Sequence, residues 1–196
     1  MNSIRSNRLA RLLAKLTGAA ALASLFASAS CVNVPDENRF TAVLYAPDYP
    51  IYKANVDEYL SRRCGTLDCH GQEGRAYRIY GRTGLRLYIQ DAGLISGEQA
   101  TTDQERQANY AAIIGLEPEM MNRVMAENGA DPERLLFLRK PLKLERHKGG
   151  TVISGSDQVA GGDKGYQCLT AWLRAPVGGS LTKSETDACE SAAALP

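Results

Sequence analysis

Apolar residues recur at three- and four-residue spacing along several stretches of the chain, and each stretch is bounded by residues that start or stop helices. Asn55 followed three residues later by Glu58 reads as a capping box, and Val56, Tyr59 and Leu60 then share one face as far as Cys64. Thr102 and Glu105 repeat the box and open a helix to about Ile114. Pro118 starts a third helix carrying Met120, Met121, Val124 and Met125, closed by Asn128 and Gly129. Asp131 and Pro132 introduce a fourth through Leu135, Leu136 and Leu138, stopped before Pro141. Asp163 leads a last helix with Tyr166, Leu169, Trp172 and Leu173 on one side. Residues 78–89 alternate apolar and polar around Gly81 and Gly84, which predicts a short extended or hairpin segment. The class is therefore mainly α, with long loops.

Residues 1–30 stand apart from this pattern. They carry Arg5, Arg8, Arg11 and Lys15 and no acid, then the apolar stretch Leu16 to Phe26, then Ala27, Ser28, Ala29 and Ser30 running into Cys31. A basic start, a short apolar core and small residues make a secretory signal, not part of the fold. A cysteine directly after the small residues resembles a bacterial lipobox, which predicts lipidation at Cys31 and a membrane tether. Ser28 stands where such boxes carry leucine, and ordinary cleavage near Ala29 is the alternative. The remainder divides into a tether and N-terminal arm (31–52, with Pro35, Pro47 and Pro50), one domain (53–175) and a C-terminal tail (176–196).

Composition adds exclusions. With 44% hydrophobic and 23% charged residues, the 196-residue chain is neither disordered nor a multi-span membrane protein. A net charge of +1 gives no electrostatic case for nucleic acid. No nucleophile elbow, phosphate loop or zincin motif is present, so no catalysis is expected.

Export makes the cysteines informative, because disulfides and covalent haem attachment both belong outside the cytoplasm. Cys168 and Cys189 bracket the end of the last predicted helix and a glycine-containing turn, the placement of a disulfide that staples the tail. Cys64, Cys69 and His70 follow the grammar of c-type haem attachment, in which two thiols bond one porphyrin and the next imidazole takes its iron. The spacer is four residues where two is usual, and Gly65 eases the extra length. His147 is the only other histidine and the first candidate for the second axial ligand, with Met121 and then Met120 behind it. Arg75, Arg78, Arg82 and Arg86 follow the attachment segment, and Arg82 is the candidate partner of a haem propionate. Leu85, Leu87, Ile113, Met121, Val124, Leu136 and Leu142 are candidate pocket walls.

The segment from Cys64 to Gly71, the run Leu136, Lys140, Pro141 leading to His147, Gly149 and Gly150, and the closing Tyr166, Leu169, Trp172 and Leu173 together resemble the cytochrome c-like domains of exported planctomycete and myxobacterial proteins. The resemblance implies a class I cytochrome c-like helical domain holding one covalent haem c. It further implies a single-electron carrier on the periplasmic side of the envelope, working with redox partner proteins. Two other readings use the same residues. Cys64, Cys69, His70 and His147 equal in number the ligands of a closed zinc site. Alternatively, a Cys64–Cys69 disulfide would leave a haemless binding or scaffold module.

Overall fold

The computed structural model describes residues 45–82, 84–88, 93, 95–150, 152–153 and 162–194. The signal segment, Cys31 and most of the tether lie outside them. Helix α1 is one continuous helix in three parts: Tyr49–Ile51, a wider π turn Tyr52–Val56, and Asp57–Arg63. It begins six residues before Asn55. Asp48 is its true cap, accepting from the Ile51 N–H (2.8 Å), and Pro50 sits in the first turn, where a missing N–H leaves nothing unsatisfied. Asn55 instead donates its side-chain amide to the Ile51 carbonyl inside the helix.

The predicted arm is thus partly domain. Asp48 also accepts the Gly178 N–H (2.7 Å), and its carbonyl takes the indole N–H of Trp172 (2.8 Å), while Tyr110 donates to the Pro47 carbonyl (2.6 Å). Tyr52 and Trp172, both fully buried, meet with ring centres 5.2 Å apart.

Helix α2 is Asp103–Ile114, opened by a complete Thr102–Glu105 capping box, and α3 is Pro118–Ala126, ended by the left-handed Asn128 and Gly129. The next predicted helix breaks in two. Asp131 makes no side-chain cap and is itself left-handed, so a 3-10 turn Pro132–Arg134 precedes α4, Leu136–Arg139. Helix α5, Lys164–Arg174, is capped by Asp163 and contributes Tyr166, Leu169, Trp172 and Leu173 to the core. Where a tail was expected, α6 runs Lys183–Ala194, packed on α5 and α1 through Ala188, Cys189 and Ala192. The Cys168–Cys189 disulfide joins α5 to α6.

The predicted hairpin over 78–89 shrinks to one isolated bridge, Tyr80 with Leu85, and no strand occurs among the described residues. Of the candidate pocket walls, Ile113, Met121 and Val124 are fully buried in the core, whereas Leu85, Leu87, Leu136 and Leu142 stay partly exposed. No helix among the described residues is long and apolar enough to cross a membrane.

Candidate functional site

Helix α1 delivers Cys64 to its C-terminal end, where the Cys64 N–H still reaches the Leu60 carbonyl (2.9 Å). The chain then turns back on itself. The His70 N–H donates to the Cys64 carbonyl (2.8 Å), and the N–H groups of Cys69 and Gly71 both donate to the Thr66 carbonyl (2.9 Å each). These bonds fold the four residues between the cysteines into a compact turn. A Cβ at Gly71 or Gly84 would strike the Gly65 carbonyl oxygen, so glycine at those positions is what lets three backbone segments meet there. Arg75 straps the turn, donating from Nε to the Cys69 carbonyl (2.8 Å) and from Nη2 to the Asp68 carbonyl (3.3 Å).

Cys64 and Cys69 are both free thiols, each half-buried, and the disulfide of the haemless reading is not formed. Burial pushes the Cys64 thiol up to about 12, and the neighbouring Cys69 adds to the effect. The structure also brings the two histidines together, although 77 positions separate them in the sequence. Their ring centres lie 6.3 Å apart with the planes within 10° of parallel.

Both rings are held in the same way. The Nδ1 of His70 is 2.9 Å from the Tyr77 carbonyl, and the Nδ1 of His147 is 2.9 Å from the Gly150 carbonyl. A carbonyl only accepts, so each Nδ1 carries a proton, and in the neutral ring Nε2 is then the nitrogen able to ligate. Fixing one ring nitrogen so that the other can ligate is the usual support of a metal-binding imidazole. Gly150 adopts φ +75°, a left-handed turn that carries its carbonyl back to His147. Tyr77 packs its ring against His70 at 4.9 Å, and burial, its largest cause, lowers the His70 pKa.

These distances test which group the residues suit. An imidazole nitrogen sits about 1.1 Å from its ring centre and binds a transition metal at about 2.0 Å, so two rings that aimed their nitrogens at one ion from opposite sides would have centres about 6.2 Å apart. The histidine pair matches only the centre separation: its rings are stacked, with planes 10° apart, whereas ligation of one ion aims each Nε2 at it within the ring plane. The zinc reading fares differently, because no three His, Cys, Asp or Glu side chains among the described residues converge as an ion's ligand set would. Met121 lies in the apolar core with 1% of its surface exposed, and Met120 packs on that core from its edge.

The arginines divide. Arg82 is exposed, as is Arg78. Arg86 is occupied: its Nε and Nη2 form a two-pronged bond to Glu105 (2.8 Å each), and its remaining N–H groups go to the carbonyls of Ser96, Gln99 and Ala100. All five guanidinium donors are spent on the protein itself. Glu105, with no exposed surface, also accepts from the Thr102 and Leu87 N–H groups; burial would raise its pKa, but these bonds outweigh it and hold the carboxyl below its usual range.

Another buried carboxylate, Asp57, was not visible in the sequence. It lies on α1, accepts from Tyr52 (3.0 Å) and Asn109 (3.1 Å), and faces Arg106 at 3.4 Å. Burial raises its pKa. Asn109 also clamps Tyr80 through both backbone groups, which fixes the segment leading away from the histidine loop. No family model, no curated protein and no solved structure matches the chain.

Proposed function

We propose that the chain is an exported, cytochrome c-like protein that holds one haem c and carries single electrons at the cell envelope. The observation that supports this most is the His70–His147 pair: near-parallel rings with centres 6.3 Å apart, each anchored at Nδ1 by a backbone carbonyl. Cys64 and Cys69 immediately before His70 supply the two thiols. They would hold the haem through thioether links to its two vinyl groups, S–H adding across each double bond with no net oxidation or reduction. A bound haem supplies the one-electron iron couple.

The chain's own residues do the rest. His70 and His147 would be the two ring ligands, each anchored at Nδ1 by a backbone carbonyl; the Arg75 strap keeps the attachment turn closed, and Arg82 would meet a propionate. On this reading the chain's role is electron transfer to and from redox partner proteins, not catalysis of its own. Export follows from the N-terminal signal, with a lipid anchor at Cys31. The Cys168–Cys189 disulfide supports an oxidising compartment.

The test is production in a host with a c-type cytochrome maturation system, followed by intact-mass and absorbance measurements. The expected product carries the added mass of one haem, lost when both Cys64 and Cys69 become alanine, and shows a low-spin spectrum. His70→Ala should abolish that spectrum, and His147→Ala should give an altered or high-spin one. Absence of the haem mass overturns the proposal, and an unchanged spectrum in His147→Ala moves the second ligand to Met121 or Met120.

A further inference from the structure

Four oxidisable rings touch one another behind α1. Tyr52, with no exposed surface, has its ring centre 5.2 Å from Trp172, 5.4 Å from Tyr110 and 6.4 Å from Tyr49. Tyr49 and Tyr110 meet at 5.1 Å, and Tyr110 and Trp172 at 6.3 Å. Rings this close exchange an electron without any bridging group. What distinguishes the four is where each polar hydrogen goes, because a phenol gives up an electron easily only when its proton has a base to receive it.

The indole N–H of Trp172 donates to the Asp48 carbonyl (2.8 Å), and the Tyr110 hydroxyl donates to the Pro47 carbonyl (2.6 Å). A backbone carbonyl accepts the hydrogen bond but does not take the proton. The Tyr49 hydroxyl is buried with no hydrogen-bond partner among the described residues. Of the four, Tyr52 is the one that faces a base: its hydroxyl donates to Asp57 Oδ1 (3.0 Å). The Asn109 amide (3.1 Å) and the Arg106 guanidinium (3.4 Å) hold Asp57 in place and favour its charged form. Burial works the other way and raises its pKa, which makes Asp57 a stronger base than a surface carboxylate.

From this asymmetry we propose that Tyr52 and Asp57 form a proton-coupled redox site, the resting place of the electron deficiency when an outer-sphere one-electron oxidant, such as a cobalt(III) ammine, acts on the ring cluster. The oxidant takes one electron from Trp172 and leaves the indole radical cation, which keeps its proton because the Asp48 carbonyl cannot remove it. Tyr52 then gives one electron to Trp172 and its phenolic proton to Asp57. Trp172 returns to the neutral indole, Tyr52 becomes a neutral phenoxyl radical, and Asp57 becomes a neutral acid. Charge balances, since the indole cation and the carboxylate cancel before the step and all three products are neutral after it. No haem enters the step, so the inference does not rest on the proposed function.

Trp172 is the single tryptophan, so light absorbed by tryptophan alone starts the reaction at one known ring. The full chain, made without a haem maturation system, is flashed in the presence of hexaamminecobalt(III), which takes the electron irreversibly, and transient absorption follows the tryptophanyl and tyrosyl radicals. In the unaltered chain the first should decay as the second rises, and more slowly in deuterium oxide, because a proton moves in the same step. Tyr52→Phe should leave Trp172 oxidised. Tyr110→Phe, at a ring that also meets Trp172 but faces no base, should leave the transfer intact. Asp57→Asn keeps the shape and removes the base, and should slow the transfer about 100-fold. Equal decay in Tyr52→Phe and the unaltered chain overturns the inference, as does equal loss of transfer in Tyr110→Phe and Tyr52→Phe, or an unslowed transfer in Asp57→Asn. Where a buried substitution prevents folding, the unaltered chain still decides: no tyrosyl radical, or a rise that deuterium oxide does not slow, overturns it.

Discussion

At the scale of single residues, Cys64 combines two properties that pull against each other. Its position after α1 and before His70 suits attachment, yet burial raises its thiol to about 12, which leaves almost no thiolate at neutral pH. A neutral thiol reacts slowly with any electrophile, so under the proposed function haem attachment would precede packing of this turn. In haem-free folded protein at pH 8, Cys64 should be alkylated by iodoacetamide about 100-fold more slowly than Cys64 in the chain unfolded by guanidinium. Peptide mapping of the alkylated cysteines would show it, and equal rates in the two states would refute it. The sign of the linked stability change follows. An unfolded thiol ionises near 8.5 and the folded one near 12, so the contribution is intact below about 8.5 and is lost as pH climbs toward 12.

Among the elements, legibility depended on whether the signal was local. The Thr102–Glu105 box, Pro118 with Asn128 and Gly129, and Asp163 all act within one turn of the helix they bound, and α2, α3 and α5 begin where those residues indicate. Helix α6 had the same signal. Thr182 and Glu185 exchange side-chain and backbone bonds like Thr102 and Glu105, but the stripe behind them is only Ala188, Cys189 and Ala192, too small to register as an apolar face. The start of α1 was obscured by Pro47 and Pro50, which are compatible with an arm until Asp48 is seen capping. The cysteine–histidine turn was readable as a local motif. The pairing of His70 with His147 needed the fold, because nothing within either segment encodes the other's position.

The Arg86–Glu105 pair was equally hidden, since it joins a loop to a helix 19 positions away. Removing one partner of a buried ion pair strands the other charge. Arg86→Met should therefore destabilise the protein by about 3 kcal/mol at pH 7, measured by urea unfolding. The gap between wild type and variant should narrow in acid. Glu105 is held below its usual range in the folded protein, so its contribution is present above an unfolded value of about 4.3 and lost as pH falls through the depressed one. A gap that stays constant down to pH 3 would contradict this account.

Across the whole molecule, the described residues form one unit in which the helix ending at the cysteine turn is braced from behind. Helix α6 packs on both α5 and α1, and the disulfide fixes it to α5 across a sequence separation of 21. Helix α1 does not depend on α6 alone. Tyr52 against Trp172 and the Asp48 bonds to Trp172 and Gly178 tie it to α5 and the turn beyond. Breaking the staple should therefore weaken the fold without dismantling the site. In a chain-entropy treatment a closed loop of that size is worth about 3 kcal/mol, arising mainly from the unfolded chain. Cys168→Ala/Cys189→Ala should lower the urea midpoint correspondingly, with fluorescence of Trp172, the single tryptophan, as the probe. Below the transition the absorbance spectrum of loaded protein should match that of the unaltered chain, because His70 and His147 are positioned by Tyr77 and Gly150 rather than by α6. A changed spectrum at full folding would mean that the brace from α6 reaches the histidines, and that the site is less local than its hydrogen bonds imply.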